Sequence, residues 1–122
     1  MRHHDAIGIG LSGLCLVHCL ALPVLISLSP ALVLFENEWT HLALAGMALP
    51  VSLLAMRNWV GGARAAGLRA MATFGVGLLF YAALGEMSEL AEQGVTTVGA
   101  LLLATSHVLA WVSARTCGTH QD

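Results

Sequence analysis

The chain has 122 residues, of which 57% are hydrophobic and 10% are charged, and its mean hydropathy is +0.80. Soluble domains carry about a quarter charged residues, so this composition indicates an integral membrane protein. The net charge is -2 and lysine is absent, which leaves no basic stripe for nucleic acid. The length excludes a separate soluble catalytic domain, and no nucleophile and base share a polar pocket. We therefore expect no enzymatic activity and assign no catalytic residue.

Four apolar segments predict membrane-spanning helices, because helices satisfy their backbone hydrogen bonds within lipid. We predict an all-α integral membrane protein, a four-helix transmembrane bundle in which residues 1–122 form a single domain. A cleaved signal peptide ending near Ser29 is the alternative for the first segment, but Pro30 would follow the cut. The predicted spans cover about 7–29, 41–57, 70–86 and 95–114.

The positions of the arginines predict the orientation of the bundle, since positive charge is retained in the cytoplasm during insertion. With four spans, the amino terminus, the second loop and the carboxyl terminus lie on one side. All five arginines fall there, whereas the first and third loops carry glutamates. We predict that both termini are cytoplasmic. The arginines are Arg2, Arg57, Arg64, Arg69 and Arg115.

Cys15, His18 and Cys19 form the most informative cluster, because their spacing places them on one face of the first helix. Pro23 lacks the N–H that would bond the carbonyl of Cys19, so that carbonyl needs another partner, such as an ion or water. Thiols and imidazole select soft ions. We therefore predict that these three residues are metal ligands near the membrane centre.

His107 is predicted to lie at a similar depth to His18, because it is near the middle of the fourth span. Two ionisable side chains at the membrane centre usually turn inward and mark a site or pathway. We expect His107 to join the metal ligands. Two histidines facing each other could alternatively be the axial ligands of a haem.

Polar residues at the two ends of the bundle extend this predicted path. Cys117 and His120 follow the fourth span with Cys-x-x-His spacing and could receive an ion on the inner side. Two ligands do not make a closed tetrahedral zinc site, so we interpret the pair as a release station. On the outer side, acidic residues and a histidine would concentrate cations in a vestibule. The predicted vestibule residues are Glu36, Glu38, His41 and Glu86, beside Glu89 and Glu92.

Small residues in the spans favour close helix packing. Gly8 begins a GxGxxG pattern, but no strand precedes it and no acidic residue follows about 20 positions later. We interpret this pattern as helix-packing glycine and not as a dinucleotide site. Gly46, Gly75 and Gly77 are interpreted in the same way.

The segment from Cys15 to Pro23, Cys-Leu-Val-His-Cys-Leu-Ala-Leu-Pro, together with residues 36–41, His107 and Cys117, resembles the MerC family. Members of that family are small inner-membrane proteins with four predicted spans, associated with mercuric-ion uptake in bacterial mercury resistance. The resemblance implies that the first-helix cysteines bind Hg(II) and pass it to cytoplasmic cysteines, from which a reductase takes it. The corresponding inner residue here is Cys117.

The sequence-based hypothesis is therefore transport of mercuric or a similar soft ion into the cytoplasm across the bacterial inner membrane. The first-helix thiols are three residues apart and only one cysteine follows the last span, so zinc and copper stay alternative ions. No nucleotide-binding loop is present, and a divalent ion moving inward gains about 4.6 kcal/mol per 100 mV. The expected partners are the ion, lipid and a cytoplasmic acceptor or reductase, and a homodimer would complete the ligand set.

Overall fold

The computed structural model describes residues 2–35, 37–59 and 61–118, without the side chains of 2, 35, 38, 117 and 118. The described residues form four α-helices and one short 3-10 helix, Pro30–Phe35, and contain no strand. The helices are α1 (Arg2–Leu28), α2 (Glu38–Asn58), α3 (Gly62–Leu84) and α4 (Glu89–Gly118). All four are long and apolar enough to cross a membrane. The predicted all-α architecture with four spanning helices is confirmed.

Large apolar side chains cover the outside of the bundle, whereas small residues dominate its interior. Leu14, Val17 and Phe74 are more than half exposed, but Ala55 and Ala72 are fully buried. The lipid tails around a membrane protein are apolar. Apolar residues are therefore expected on the lipid-facing side of each helix as well as on its interior side. Polar side chains at interior positions are therefore the ones that indicate a functional or structural role.

The bundle has two chemically distinct ends. At one end α1 and α3 begin while α2 and α4 end, and we call it the arginine end because it carries Arg57, Arg64, Arg69 and Arg115. At the other, α4 begins with Glu89 and Glu92 after the exposed Glu86, and we call it the acidic end. The positive-inside rule predicts that the arginine end is cytoplasmic.

A short turn joins α2 to α3 at the arginine end. Gly61 and Gly62 have positive φ angles of 113° and 50°, a conformation that side chains disfavour. Arg69 Nε donates to the carbonyl of Met56 at 3.1 Å, and its guanidinium also bonds the carbonyl of Trp59. A cationic side chain at the carboxyl end of a helix donates hydrogen bonds to the last free carbonyls and interacts favourably with the helix dipole. Arg69 therefore stabilises the end of α2.

The helices α3 and α4 approach closely through two glycines. A Cβ atom on Gly75 would lie 2.9 Å from the carbonyl oxygen of Gly99, and a Cβ on Gly99 would lie 2.9 Å from that of Gly75. The predicted packing role of Gly75 is therefore confirmed. The prediction is wrong for Gly46 and Gly77, where an added Cβ would meet no atom within 4 Å.

Candidate functional site

The two cysteines of α1 lie inside the bundle, one helical turn apart. Cys15 is 3% exposed and Cys19 is 6% exposed, and both are free thiols. Their spacing of four residues places them on the face of α1 that packs against α2 and α4. Two soft ligands are thus held in the interior of the membrane-spanning part.

A large open cavity of about 510 Å³ reaches from the acidic end down to Cys19. Its walls come from the second half of α1, the start of α2 and the start of α4. The polar residues that line it include His18, Cys19, His41, Glu89, Glu92 and Gln93. The cavity therefore leads from a carboxylate-bearing opening to a buried thiol.

The imidazoles of His18 and His41 meet edge to face in this cavity. Their ring centroids are 5.1 Å apart and the ring planes are at 88°. Nδ1 of His41 donates to Oε1 of Glu92 at 2.6 Å, and both side chains are partly buried. The contact joins α2 to α4, so the carboxylate of Glu92 orients the imidazole of His41. The predicted vestibule residue His41 lies in the cavity wall.

A second cavity of about 10 Å³ lies deeper, between α1, α2, α3 and α4. It shares Cys19 and His41 with the large cavity and is also lined by Cys15 and Thr96. Its volume is about enough for one water molecule. The two thiols are consequently arranged in series, with Cys19 at the large cavity and Cys15 beyond it.

The backbone carbonyl of Cys19 accepts a hydrogen bond from a side chain of the protein. Nε2 of Gln93 on α4 donates to it at 2.6 Å, which replaces the helical N–H that Pro23 lacks. The sequence predicts the need for a partner, for which an ion or water is one candidate. The structure shows a side-chain amide there instead.

His107 lies in another part of the bundle, and the prediction that it faces His18 is wrong. Its Nδ1 donates to Oδ1 of Asp5 at 3.1 Å, and a Cβ added at Gly8 would lie 2.7 Å from its ring. Gly8 and His18 are ten residues apart on α1, which corresponds to about 15 Å. The prediction failed because α1 and α4 extend further than the predicted spans, so His107 is displaced toward the arginine end. The two histidines are therefore not placed to be axial ligands of one haem.

A buried hydrogen-bond network surrounds His107 and joins three helices. Oδ1 of Asp5 also accepts from Nε1 of Trp59 at 3.0 Å, and the rings of Trp59 and His107 are 5.5 Å apart. His107 is fully buried, and its Nε2 has no hydrogen-bond partner. We call Asp5, Trp59 and His107 the inner network.

Some predicted site residues lie outside the described part of the chain. Glu36 and His120 are not described, and the same holds for the side chains of Glu38 and Cys117, although their backbones belong to α2 and α4. Glu86 is exposed and does not line the large cavity. Its place in the outer vestibule therefore stays a prediction.

The described residues contain no group of three or more histidine, cysteine or acidic side chains placed to hold a metal ion together. Cys15, His18 and Cys19 share one side of α1, but they do not form a preassembled three-ligand site. The arrangement offers a soft ion two thiols in its interior. Such a pair suits an ion that accepts two ligands better than one that requires a closed tetrahedron.

A family model described as MerC mercury resistance protein matches residues 5–112. The chain belongs to the MerC family. The match includes both thiols of α1, the large cavity and the inner network, and it ends before Cys117. No curated protein and no solved structure gives a significant match. As a member of the MerC family with four spanning helices, the protein is a multi-pass membrane protein related to mercury resistance.

Three polar side chains of this MerC family member that contribute to these contacts are not predicted from its sequence. Gln93 and Asp5 lie just outside the predicted spans, and Trp59 follows the second span. A polar residue beside an apolar run predicts the boundary of a span, but Asp5 and Trp59 are buried and Gln93 is partly buried. The proline at position 23 was the available signal, since it demanded a donor from elsewhere in the bundle.

Proposed function

We propose that this protein transfers mercuric ion, or a similar soft ion, across the bacterial inner membrane into the cytoplasm by exchange between thiols. The observation that carries the proposal is the position of Cys19, a buried thiol at the inner end of a cavity that opens among carboxylates. Cys15 lies one turn deeper on the same helix. Membership of the MerC family supports mercury as the ion.

The thiols make a charged ion compatible with the hydrocarbon interior. When Hg(II) binds both cysteines, two S–Hg bonds form, two S–H bonds break, and two protons are released. The product is a neutral bis-thiolate. A charged group at the membrane centre costs about 3 kcal/mol or more, so this neutralisation removes the main barrier to entry. Transfer to another thiol then proceeds by exchange of one sulfur ligand for another.

Charge at the acidic end supports capture from the outer side. Glu89 and Glu92 line the cavity opening and Glu92 also bonds His41, so a cation approaches Cys19 along a negative wall. His18 lines the same cavity one position before Cys19 and is the next ligand available to the ion. The ion then continues to the cytoplasmic thiol of Cys117 and to an acceptor or reductase.

The soft ion could also be copper, because Cu(I) shares the preference for thiolates. Two interior thiols without a third preassembled ligand among the described residues favour a two-coordinate ion over zinc. The same uptake assay with copper and zinc decides the ion.

The test is uptake of radiolabelled Hg(II) by cells that express the wild type or the double variant Cys15→Ser, Cys19→Ser at equal membrane levels. We expect the double variant to fall to the level of cells without the protein. A matched control is Val17→Ser, which also introduces a hydroxyl into α1 but at a lipid-facing position that is 61% exposed. The control should retain uptake, and full uptake by the double variant would refute the thiol mechanism.

A further inference from the structure

The hydrogen bond between Gln93 and Cys19 is the contact on which this inference rests. In an α-helix, the carbonyl of residue 19 would accept from the N–H of residue 23. Residue 23 is proline, so the carbonyl lacks that donor. Nε2 of Gln93 donates to it at 2.6 Å from α4, which is 74 residues away in sequence. One side chain therefore replaces a missing backbone bond across two helices.

The side chain of Gln93 also lies at the wall of the large cavity. It lines the same large cavity as Cys19 and Pro23, on the turn of α4 that follows Glu89. Its own backbone carbonyl accepts from Oγ1 of Thr97 at 2.7 Å. The backbone of Gln93 is thus bonded within α4, while its side-chain nitrogen bonds the thiol-bearing turn of α1.

A carbonyl and a Cβ are attached to the same Cα, so a bond that fixes the carbonyl of Cys19 also restricts where its thiol points. Without this bond, the turn that ends at Pro23 would have neither its helical restraint nor the one from α4. Burial of the unbonded carbonyl would also be unfavourable, and the backbone would move to find water in the cavity.

We propose that Gln93 is a positioning residue that holds Cys19 in the orientation in which its thiol meets an ion entering from the cavity. The proposal rests on the proposed function, because it assigns Gln93 a role in loading the entry thiol. Pro23 and Gln93 act together in this proposal. The proline leaves the carbonyl of Cys19 without its helical donor, and the side-chain amide of Gln93 bonds that carbonyl and so connects the thiol-bearing turn to α4.

The dependence of one residue on the other gives a test that a merely packing role would not satisfy. Pro23→Ala restores the helical N–H, so the amide of Gln93 is no longer needed. We expect Gln93→Ala alone to weaken Hg(II) binding about fivefold, as for loss of one buried hydrogen bond. In the Pro23→Ala chain, the same substitution should have no effect on binding. Gln93→Leu, which keeps much of the bulk of the side chain but has no donor and no charge, should behave like Gln93→Ala.

Binding is measured on the purified full-length protein by titrating Hg(II) and following the ultraviolet absorbance of the Hg–S bonds. The control is Leu101→Ala, which shortens an exposed residue of the same helix, α4, that does not line the cavity. It should leave the affinity unchanged. Equal effects of Gln93→Ala with and without Pro23→Ala, or no effect in either chain, would overturn the proposal.

A second readout separates this proposal from the proposed function. In chains with Cys15→Ser and Cys117→Ser, the rate at which a maleimide modifies Cys19 reports the orientation of its thiol without any metal. We expect Gln93→Ala to change that rate, and Pro23→Ala to abolish the difference. If the wild type binds no Hg(II) but the modification rates follow this pattern, the transport proposal fails while Gln93 stays a positioning residue. Unchanged rates in all chains would refute the role of Gln93.

Discussion

Gly8→Ala tests the packing of His107 against α1. The added Cβ would lie 2.7 Å from two atoms of the imidazole, closer than any normal contact, so the buried ring of His107 would have to move. Such overpacking costs about 1–3 kcal/mol. Displacing the ring also breaks its bond to Asp5, which costs about 1 kcal/mol, whereas alanine favours the helix by about 0.5–1 kcal/mol. We therefore expect the free energy of unfolding to fall by about 1–3 kcal/mol.

Thermal unfolding of the purified protein in detergent measures this effect. At roughly 4 °C per kcal/mol, Tm should fall by about 4–12 °C. Gly10→Ala is the matched control, because a Cβ at that position of α1 meets no atom within 4 Å. It should leave Tm unchanged or raise it slightly.

The same substitution in a His107→Ala chain makes the test specific. The ring that the new Cβ would meet is then absent, so Gly8→Ala should no longer lower Tm. If Gly8→Ala matches Gly10→Ala in the wild-type chain, or if its cost persists without the imidazole, the described packing of His107 on Gly8 is refuted.

Two further predictions concern the cavity opening and the packing of α3 on α4. Glu92→Gln still accepts the hydrogen bond of His41 but loses the negative charge, so uptake from submicromolar mercuric nitrate in low-chloride medium should slow about fivefold, with an unchanged maximal rate. Initial rates at two ionic strengths check this, and an equal slowing at saturating ion would contradict it. Gly75→Ala should lower Tm by an overpacking cost of about 1–3 kcal/mol, whereas Gly77→Ala should not, since only the first Cβ meets α4. Equal Tm values for the two variants would count against the close approach.

The number of spans and the inward-facing thiols could be predicted from sequence because they depend on local patterns. Apolar length identifies a membrane helix, and the spacing between Cys15 and Cys19 fixes one face of it. The freed carbonyl of Cys19 was also predictable, since it follows from the chemistry of Pro23 alone. These features need no knowledge of how the helices pack.

The partners across helices could not be predicted in the same way. Which side chain would reach the carbonyl of Cys19 depends on the vertical register of α4 against α1, and sequence gives the ends of a span only to within a few residues. An error of this kind placed His107 opposite His18 instead of beside Asp5. Buried charged residues add to the difficulty, because Asp5 was interpreted as the boundary of a span although it is buried and bonded to two donors.

The inner network has a consequence for the order of events in the proposed transport. Asp5, Trp59 and His107 fill the space between α1, α2 and α4 at the arginine end, while the large cavity opens at the acidic end. An ion held by the thiols thus has solvent on one side and packed, hydrogen-bonded side chains on the other. In the proposed mechanism, release of the ion toward the arginines would require these three side chains to separate. Under the proposed transport, loading and release would therefore belong to two different conformations of the bundle, and this structure would be the one that loads.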